Sequence, residues 1–158
     1  MKFICDIMLG KLAKYLRIVG VDTSYSSSLS LSQIIAAAAA EQRTVLTRRT
    51  GQLLSGQQIS VYFIQSNCPQ EQLHAVIRHF NLQPDSSRFF TRCLLCNELL
   101  AAIEKAAVAG NVPDYVFSTI NDFSQCPCCR KIYWKGTHYG NMLKRLEQVL
   151  GAMKEGTR

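Results

Sequence analysis

The chain has 158 residues, of which 47% are hydrophobic, so it can bury a core and global disorder is excluded. Its formal net charge of +7 favours an anionic partner, such as nucleic acid, an anionic membrane surface or an acidic protein. No apolar run reaches the ~20 residues of a membrane span, and Asp6, Lys11 and Lys14 interrupt any signal-peptide pattern. We therefore expect a cytoplasmic protein with no membrane partner.

The first half of the sequence alternates predicted strands with predicted helices. Apolar or β-branched runs predict strands at residues 2–6, 21–25, 44–47 and 59–64. Helical spacing or high helix propensity predicts helices at residues 8–19, 31–41 and 69–80. This order indicates an α/β fold with a doubly wound parallel sheet. Ligands of such sheets bind beyond the carboxyl ends of the strands, which we expect at Asp6 and within residues 22–26, 47–50 and 65–67.

The pattern changes at residue 89, so we predict two domains, an α/β domain at residues 1–88 and a cysteine-bearing module at residues 89–158. Within the second, residues 97–109 predict a helix, and residues 117–120 and 131–134 predict strands. Apolar residues at helical spacing between residues 139 and 153 predict a closing, basic C-terminal helix.

Four cysteines predict a structural zinc site. Cys93 and Cys96 form one C-x-x-C pair, Cys126 and Cys129 form another, and 29 residues separate the pairs. Each pair places two thiolates on one tight turn, and four thiolates leave no open position on the metal, which is typical of a zinc ribbon. Cys128 is the competing candidate for the fourth ligand. A disulfide, metal-free buried cysteines and an iron–sulfur cluster are the alternatives.

Basic residues recur at three places that predict contact with nucleic-acid phosphates. They are Lys11, Lys14 and Arg17 on the first predicted helix, Arg48 and Arg49 after the third strand, and Lys131 and Lys135 beside Tyr133 and Trp134. Cations next to aromatic rings are typical of single-stranded nucleic-acid binding. A solvated helix face is the alternative for the first set, and a small ribbon core is the alternative for Tyr133 and Trp134.

Several motifs occur in a fixed order along the chain. They are Asp6-x-Met8-Leu9-Gly10-Lys11-Leu12-Ala13-Lys14-Tyr15-Leu16-Arg17-x-x-Gly20-x-Asp22, Thr47-Arg48, Glu71-Gln72-Leu73, Arg92-Cys93-x-x-Cys96-Asn97, Cys126-Pro127-x-Cys129 and Tyr133-Trp134-Lys135-Gly136-Thr137-His138-Tyr139. Over nearly the whole chain they resemble the Mut-seven C-terminal RNase domain family. The resemblance implies a PIN-like domain with a C-terminal zinc ribbon and a metal-dependent endoribonuclease.

The resemblance also implies carboxylates at the strand ends that hold Mg²⁺ or Mn²⁺, and Asp6 and Asp22 are the candidates for catalytic residues. Where the family has an acid after the Thr-Arg pair, this chain has Arg49, and the fourth strand runs into residues 65–67 without an acid. A cation at Arg49 would repel a divalent metal and attract phosphate. As structural alternatives, Asp6 caps the first helix and Asp22 lies in a turn.

The incomplete acidic set leads us to expect an RNA-binding protein with weak or no cleavage, a pseudoenzyme of its family. The predicted ligand is RNA, whether single-stranded, ribosomal or transfer RNA. Two alternatives stay open: an active metal-dependent endoribonuclease, and a zinc-ribbon adaptor that binds an acidic protein partner.

Overall fold

The computed structural model describes residues 1–49 and 59–155, with side chains described as far as residue 151. The chain forms two compact units, the first spanning Met1–Asn97 and the second beginning at Glu98. The predicted division into domains at residues 1–88 and 89–158 stays a prediction.

A parallel four-stranded sheet organises the first unit. Its elements in chain order are β1 (Lys2–Cys5), α1 (Gly10–Ile18), β2 (Asp22–Tyr25), α2 (Leu31–Glu41), β3 (Thr44–Thr47), β4 (Val61–Phe63) and α3 (Pro69–His79). The strand order is β2-β1-β3-β4, and each neighbouring pair is parallel. The predicted α/β class with a parallel sheet is confirmed.

Helices cover both faces of this sheet. Ile4 of β1 packs with Ile34 and Ala38 of α2. Its neighbour Phe3 makes an edge-to-face ring contact with Phe80 at the end of α3, with centroids 5.0 Å apart. Because adjacent residues of a strand face opposite sides, the two contacts lie on opposite faces of the sheet.

Burial along the strands follows their order in the sheet. Apart from their first residues, the central strands β1 and β3 are buried. β4 is less buried, since it ends the strand order of the described residues and 44% of Phe63 is exposed.

The second unit holds a three-stranded antiparallel sheet. Its elements are β5 (Ala101–Ile103), α4 (Asp114–Thr119), β6 (Phe123–Gln125), β7 (Ile132–Trp134) and α5 (Thr137–Glu155), with strand order β5-β6-β7. Val108, Val112, Val116 and Phe123 form its small buried cluster. In the described parts of the chain, no helix is both long and apolar enough to cross a membrane.

Two elements of the second unit differ from prediction. Residues 97–109 do not form a helix, because Ala101–Ile103 pairs with β6 and only a 3-10 helix, Lys105–Val108, follows. Residues 117–120 do not form a strand, because most of them belong to α4. In the first case strand pairing overrides the helix propensity of the alanines.

Candidate functional site

The carboxyl ends of the four parallel strands open onto a cleft of about 490 Å³. β2 reaches it at Tyr25, Arg48 follows β3, and Asn67 precedes α3. The residues that line it are Met8, Gly10, Lys11, Lys14, Tyr25, Arg48, Asn67, Pro69 and Gln72. This lining, within the described part of the chain, has three cations and no carboxylate, so the cleft suits an anion. Its position is the one expected for a ligand of a parallel sheet.

Helix α1 presents only two of its three predicted RNA-binding residues to this cleft. Lys11 and Lys14 are exposed and line it, whereas Arg17 is 3% exposed. A spacing of three residues turns the side chain by about 60° around the helix at each step, so Arg17 points about 120° away from Lys11. The prediction that Arg17 contacts RNA is wrong, because its side chain is directed into the protein.

Arg17 instead ties together backbone segments of the first unit. Its Nε donates to the Thr23 carbonyl at 2.8 Å, and its Nη1 donates to the carbonyls of Leu94 at 2.7 Å and Leu95 at 3.1 Å. Leu94 and Leu95 are the two residues between Cys93 and Cys96. Arg17 therefore links the first cysteine turn to β2 through hydrogen bonds.

Asp6 lies fully buried directly after β1 and caps the 3-10 helix Ile7–Leu9. Its Oδ1 accepts from the Met8 backbone N–H at 2.8 Å, and its Oδ2 accepts from the Thr47 hydroxyl at 2.5 Å. The Thr47 oxygen in turn accepts from the Arg49 backbone N–H at 3.0 Å. Asp6 thus caps the 3-10 helix before α1, whose own N-cap residue is Leu9, and both of its oxygens have partners.

Arg49 forms an ion pair with Asp6. Its Nε lies 3.7 Å from Asp6 Oδ2, and 45% of the Arg49 side chain remains exposed. The positive charge thus sits beside the single acid that the first strand brings to this edge. Arg48, the neighbouring residue, lines the cleft, and its Nε is buried without an acceptor among the described residues.

Asp22 lies at the amino end of the parallel strands, whereas Asp6 lies at their carboxyl end. The parallel register pairs Asp22 with Lys2 and Tyr25 with Cys5, so β2 begins at Asp22. With a rise of about 3.3 Å per residue, Asp6 lies roughly 13 Å further along the strand direction. The prediction that Asp6 and Asp22 belong to one catalytic site is wrong, because the carboxyl end of β2 is Tyr25.

The Asp22 carboxylate has its own partners. Its Oδ1 accepts from Arg43 Nη1 at 2.5 Å and from Asn97 Nδ2 at 2.8 Å, and Asn97 Oδ1 accepts from the Thr23 N–H at 2.9 Å. Burial disfavours the charged form, but these hydrogen bonds and the charges of Arg43 and Arg92 outweigh it, so the pKa of Asp22 lies below its usual value. Asp22 stabilises the edge of β2 through these contacts.

We expect Asp22→Asn to destabilise the protein at neutral pH and to have little effect in acid. A lowered native pKa gives stability that is present above the unfolded-state pKa of about 3.9 and is lost as the pH falls through the lower native value. Urea unfolding between pH 7 and pH 2 measures this, and the difference in unfolding free energy between wild type and variant should shrink toward acid.

Glu41→Gln is the matched control for this measurement. Glu41 also contacts Arg43, at 2.7 Å, but its side chain is 51% exposed. Its replacement should therefore have a smaller effect at every pH. An Asp22→Asn effect of constant size across the pH range would contradict the assigned role.

The four predicted cysteine ligands lie together. The Sγ atoms of Cys93, Cys96, Cys126 and Cys129 are all within 4.8 Å of one another. The backbone N–H groups of Cys96 and Cys129 point at the sulfurs of Cys93 and Cys126, at 3.3 and 3.5 Å. A zinc–sulfur bond of about 2.3 Å sets sulfur–sulfur distances of about 3.8 Å in a tetrahedron, so this set could hold one zinc ion. The exposed Cys128 is outside the cluster.

The residues do not fit the divalent ion that the family resemblance implies. Among the described residues, the cysteines are the one group of three or more His, Cys, Asp or Glu side chains close enough to share a metal. Residues 50–58 contain none of these four residue types. A Mg²⁺ or Mn²⁺ site needs several oxygen ligands, and Asp6, already paired with Arg49, is the one carboxylate at this end of the strands in the described part of the chain.

Arg92 and Asn97 have structural roles that the sequence did not reveal. Arg92 donates from Nε to the Gly20 carbonyl at 3.2 Å and from Nη1 to the Asn97 carbonyl at 2.8 Å. Asn97 has a positive φ of 70° directly after the cysteine turn, a conformation that asparagine tolerates. In the sequence, the only indication of these roles is that the two residues flank the first cysteine pair.

The second unit carries the remaining predicted RNA-binding residues. Lys131 and Lys135 are exposed on either side of β7. Trp134 packs against the buried cluster of this unit, with its ring centroid 6.5 Å from that of Phe123. The core interpretation of Trp134 is confirmed, whereas RNA contact by the two lysines stays a prediction.

A protein-family model, the Mut7-C RNAse domain, matches residues 1–146. The matched range contains both the cleft and the four cysteines, and it confirms the resemblance found in the sequence. No curated protein and no solved structure matches the chain.

Proposed function

The chain belongs to the Mut7-C RNAse domain family, and from this premise we propose that it binds RNA in the cleft with weak or no cleavage. The family indicates a ribonuclease-like function on RNA. The observation that carries the finer proposal is the ion pair between Arg49 and the buried Asp6. It puts a positive charge where family members are expected to hold a metal ion.

Two features argue against efficient metal-dependent cleavage. Asp6 already accepts hydrogen bonds from Met8 and Thr47, and a divalent ion near its Oδ2 would be repelled by Arg49 at 3.7 Å. Asp22, the second candidate acid, is bound by Arg43 and Asn97 at the amino ends of the strands. We therefore derive no catalytic step through a divalent metal.

The charge of the cleft supports RNA binding. Lys11, Lys14 and Arg48 line it, and cationic side chains gain affinity for RNA by displacing the counterions of its phosphates. Tyr25 adds an aromatic ring, which favours unpaired bases over a duplex. Single-stranded RNA, including loops of ribosomal or transfer RNA, is thus the proposed ligand.

Several further assignments belong to this proposal. Zinc bound by the four cysteines is structural, Lys131 and Lys135 add phosphate contacts, and the protein works in the cytoplasm. The PIN-like domain spans residues 1–88 and the ribbon module residues 89–158.

We expect the double variant Lys11→Ala/Lys14→Ala to weaken binding of single-stranded RNA. Two lost phosphate contacts should lower affinity about tenfold at moderate salt and reduce the slope of log K against log salt by about 1.4. Fluorescence anisotropy across a salt series measures both quantities. Lys2→Ala/Arg78→Ala is the control, since it removes the same charge from exposed residues away from the cleft lining.

Cleavage is tested on the same RNA with Mg²⁺, Mn²⁺ or EDTA. The proposal expects binding and no metal-dependent cuts. Cuts that need the metal and disappear in a folded Asp6→Asn variant would instead establish the active endoribonuclease. If the folded protein neither binds nor cuts RNA and co-purifies with an acidic protein, the adaptor alternative replaces the proposal.

A further inference from the structure

We infer that the cleft binds a phosphate monoester, the phosphorylated end of an RNA strand. The inference rests on the proposed function, because it names the part of the RNA that the cleft takes. Its basis is the arrangement of Lys11, Lys14 and Arg48 around one cavity of about 490 Å³.

The balance of charge in the cleft favours a dianion. The lining holds three cations and, as far as the chain is described, no carboxylate. Asp6 does not offset them, since it is fully buried and paired with Arg49. A phosphodiester carries one negative charge, whereas a phosphate monoester carries about 1.5 to 2 at pH 7. The terminal phosphate monoester is therefore attracted more strongly than a phosphodiester by the same three cations.

Arg48 supplies a buried hydrogen-bond donor beside the cleft. Its Nε is buried and has no hydrogen-bond partner among residues 1–49 and 59–155. A guanidinium presents paired N–H donors that match two oxygens of one phosphate. A phosphate in the cleft would provide an acceptor for Arg48 Nε, which has none in the part of the chain that the structure describes.

The N-terminus of α3 makes a smaller contribution to phosphate binding. Pro69 and Gln72 of its first turn line the cleft, and its N-cap residue, Cys68, makes no side-chain capping hydrogen bond. The N-terminus of this 11-residue helix favours an anion through the backbone N–H groups of its first turn. Glu71 lies in the same turn, but it is absent from the cleft lining and accepts from the Ser66 hydroxyl at 2.6 Å.

The cleft has space for one nucleotide behind that phosphate. Its volume is in the range of about 300–1,000 Å³ that is typical of sites for one small ligand. Tyr25 forms part of the wall, and its hydroxyl donates to the Ile7 carbonyl at 3.3 Å. The ring lies against Gly10, where an added Cβ would come within 2.8 Å of it. Glycine at this position thus allows an aromatic surface on which a terminal base can stack.

Three RNA decamers of one sequence test the inference: one with a 5′-phosphate, one with a 3′-phosphate and one with hydroxyls at both ends. We expect one phosphorylated decamer to bind about tenfold more tightly than the hydroxyl-ended one. The two phosphorylated decamers tell which strand end is recognised. Arg48→Met should remove the preference, and Arg78→Met, which changes an exposed arginine near the far end of α3, should keep it.

Thermal unfolding of each variant checks that it folds. If Arg48→Met does not fold, the double variant Lys11→Gln/Lys14→Gln replaces it in the test. Both lysines are exposed, so this variant is expected to fold. Equal binding of all three decamers, or a preference that survives these substitutions, overturns the inference and leaves RNA binding intact. Absence of any RNA binding by the folded wild type overturns the proposed function as well.

Discussion

Replacement of Cys126 by serine is expected to abolish zinc binding and to unfold the second unit. Cys126 is fully buried within the four-cysteine cluster, and the hydrophobic cluster described for this unit is small. In small zinc modules the metal contributes an apparent binding free energy of about 10–16 kcal/mol, which is also folding free energy. Metal analysis and thermal unfolding, with and without a chelator, measure the two effects.

Cys128→Ser is the matched control for this experiment. Cys128 lies in the same turn but is exposed and outside the cluster, so the variant should keep about one zinc ion per chain. Loss of zinc from Cys128→Ser would show that Cys128, and not Cys129, is the fourth ligand. A fully folded wild-type protein free of metal would contradict the structural role of zinc.

Arg17→Met is expected to lower the free energy of unfolding by about 3 kcal/mol or more. The side chain is 3% exposed, and its loss removes the donors to the carbonyls of Thr23, Leu94 and Leu95. A hydrogen bond from a charged donor contributes about 1.5–3 kcal/mol, and the bond to Thr23 is buried while the other two are partly buried. Because two of these carbonyls lie between Cys93 and Cys96, zinc affinity should fall as well. Urea unfolding and competition with a zinc chelator measure both.

Lys14→Met provides the comparison on the same helix. Lys14 is exposed, so its replacement should change the unfolding free energy by no more than about 0.5 kcal/mol. Arg17→Lys should also destabilise, because one ammonium group cannot reproduce separate donors from Nε and Nη1. Equal stability of Arg17→Met and Lys14→Met would show that the contacts of Arg17 contribute nothing.

The fold of the first unit could be predicted because its local and tertiary signals agree. Strands such as β1 and β3 are short apolar runs, and the capping box of Ser30 and Gln33 marks the start of α2. In the second unit the signals conflict. Residues 101–109 are rich in alanine, yet Ala101–Ile103 forms an edge of a sheet whose partner strand lies some twenty residues further along the chain. Such pairing is not visible in local propensity.

The zinc ligands and the cleft were accessible from sequence to different degrees. The C-x-x-C spacing alone identified the four cysteines that cluster, because a metal knuckle is a local structure. The cleft depends on residues from several elements, and Tyr25, Met8 and Gln72 were not recognised among its lining. Each of these is unremarkable in its own segment and acquires a role only beside the others.

The sequence by itself determined the α/β order of the first unit, the family, the metal-binding cysteines and the substitution of Arg49 for an acid. Only the tertiary structure decided that Asp22 lies at the far edge from Asp6, that Arg17 is buried and that Arg49 pairs with Asp6. The reason is physical. Strand register and helix rotation set which side chains meet, and a shift of a few residues in a strand or of 120° on a helix moves a side chain to another surface.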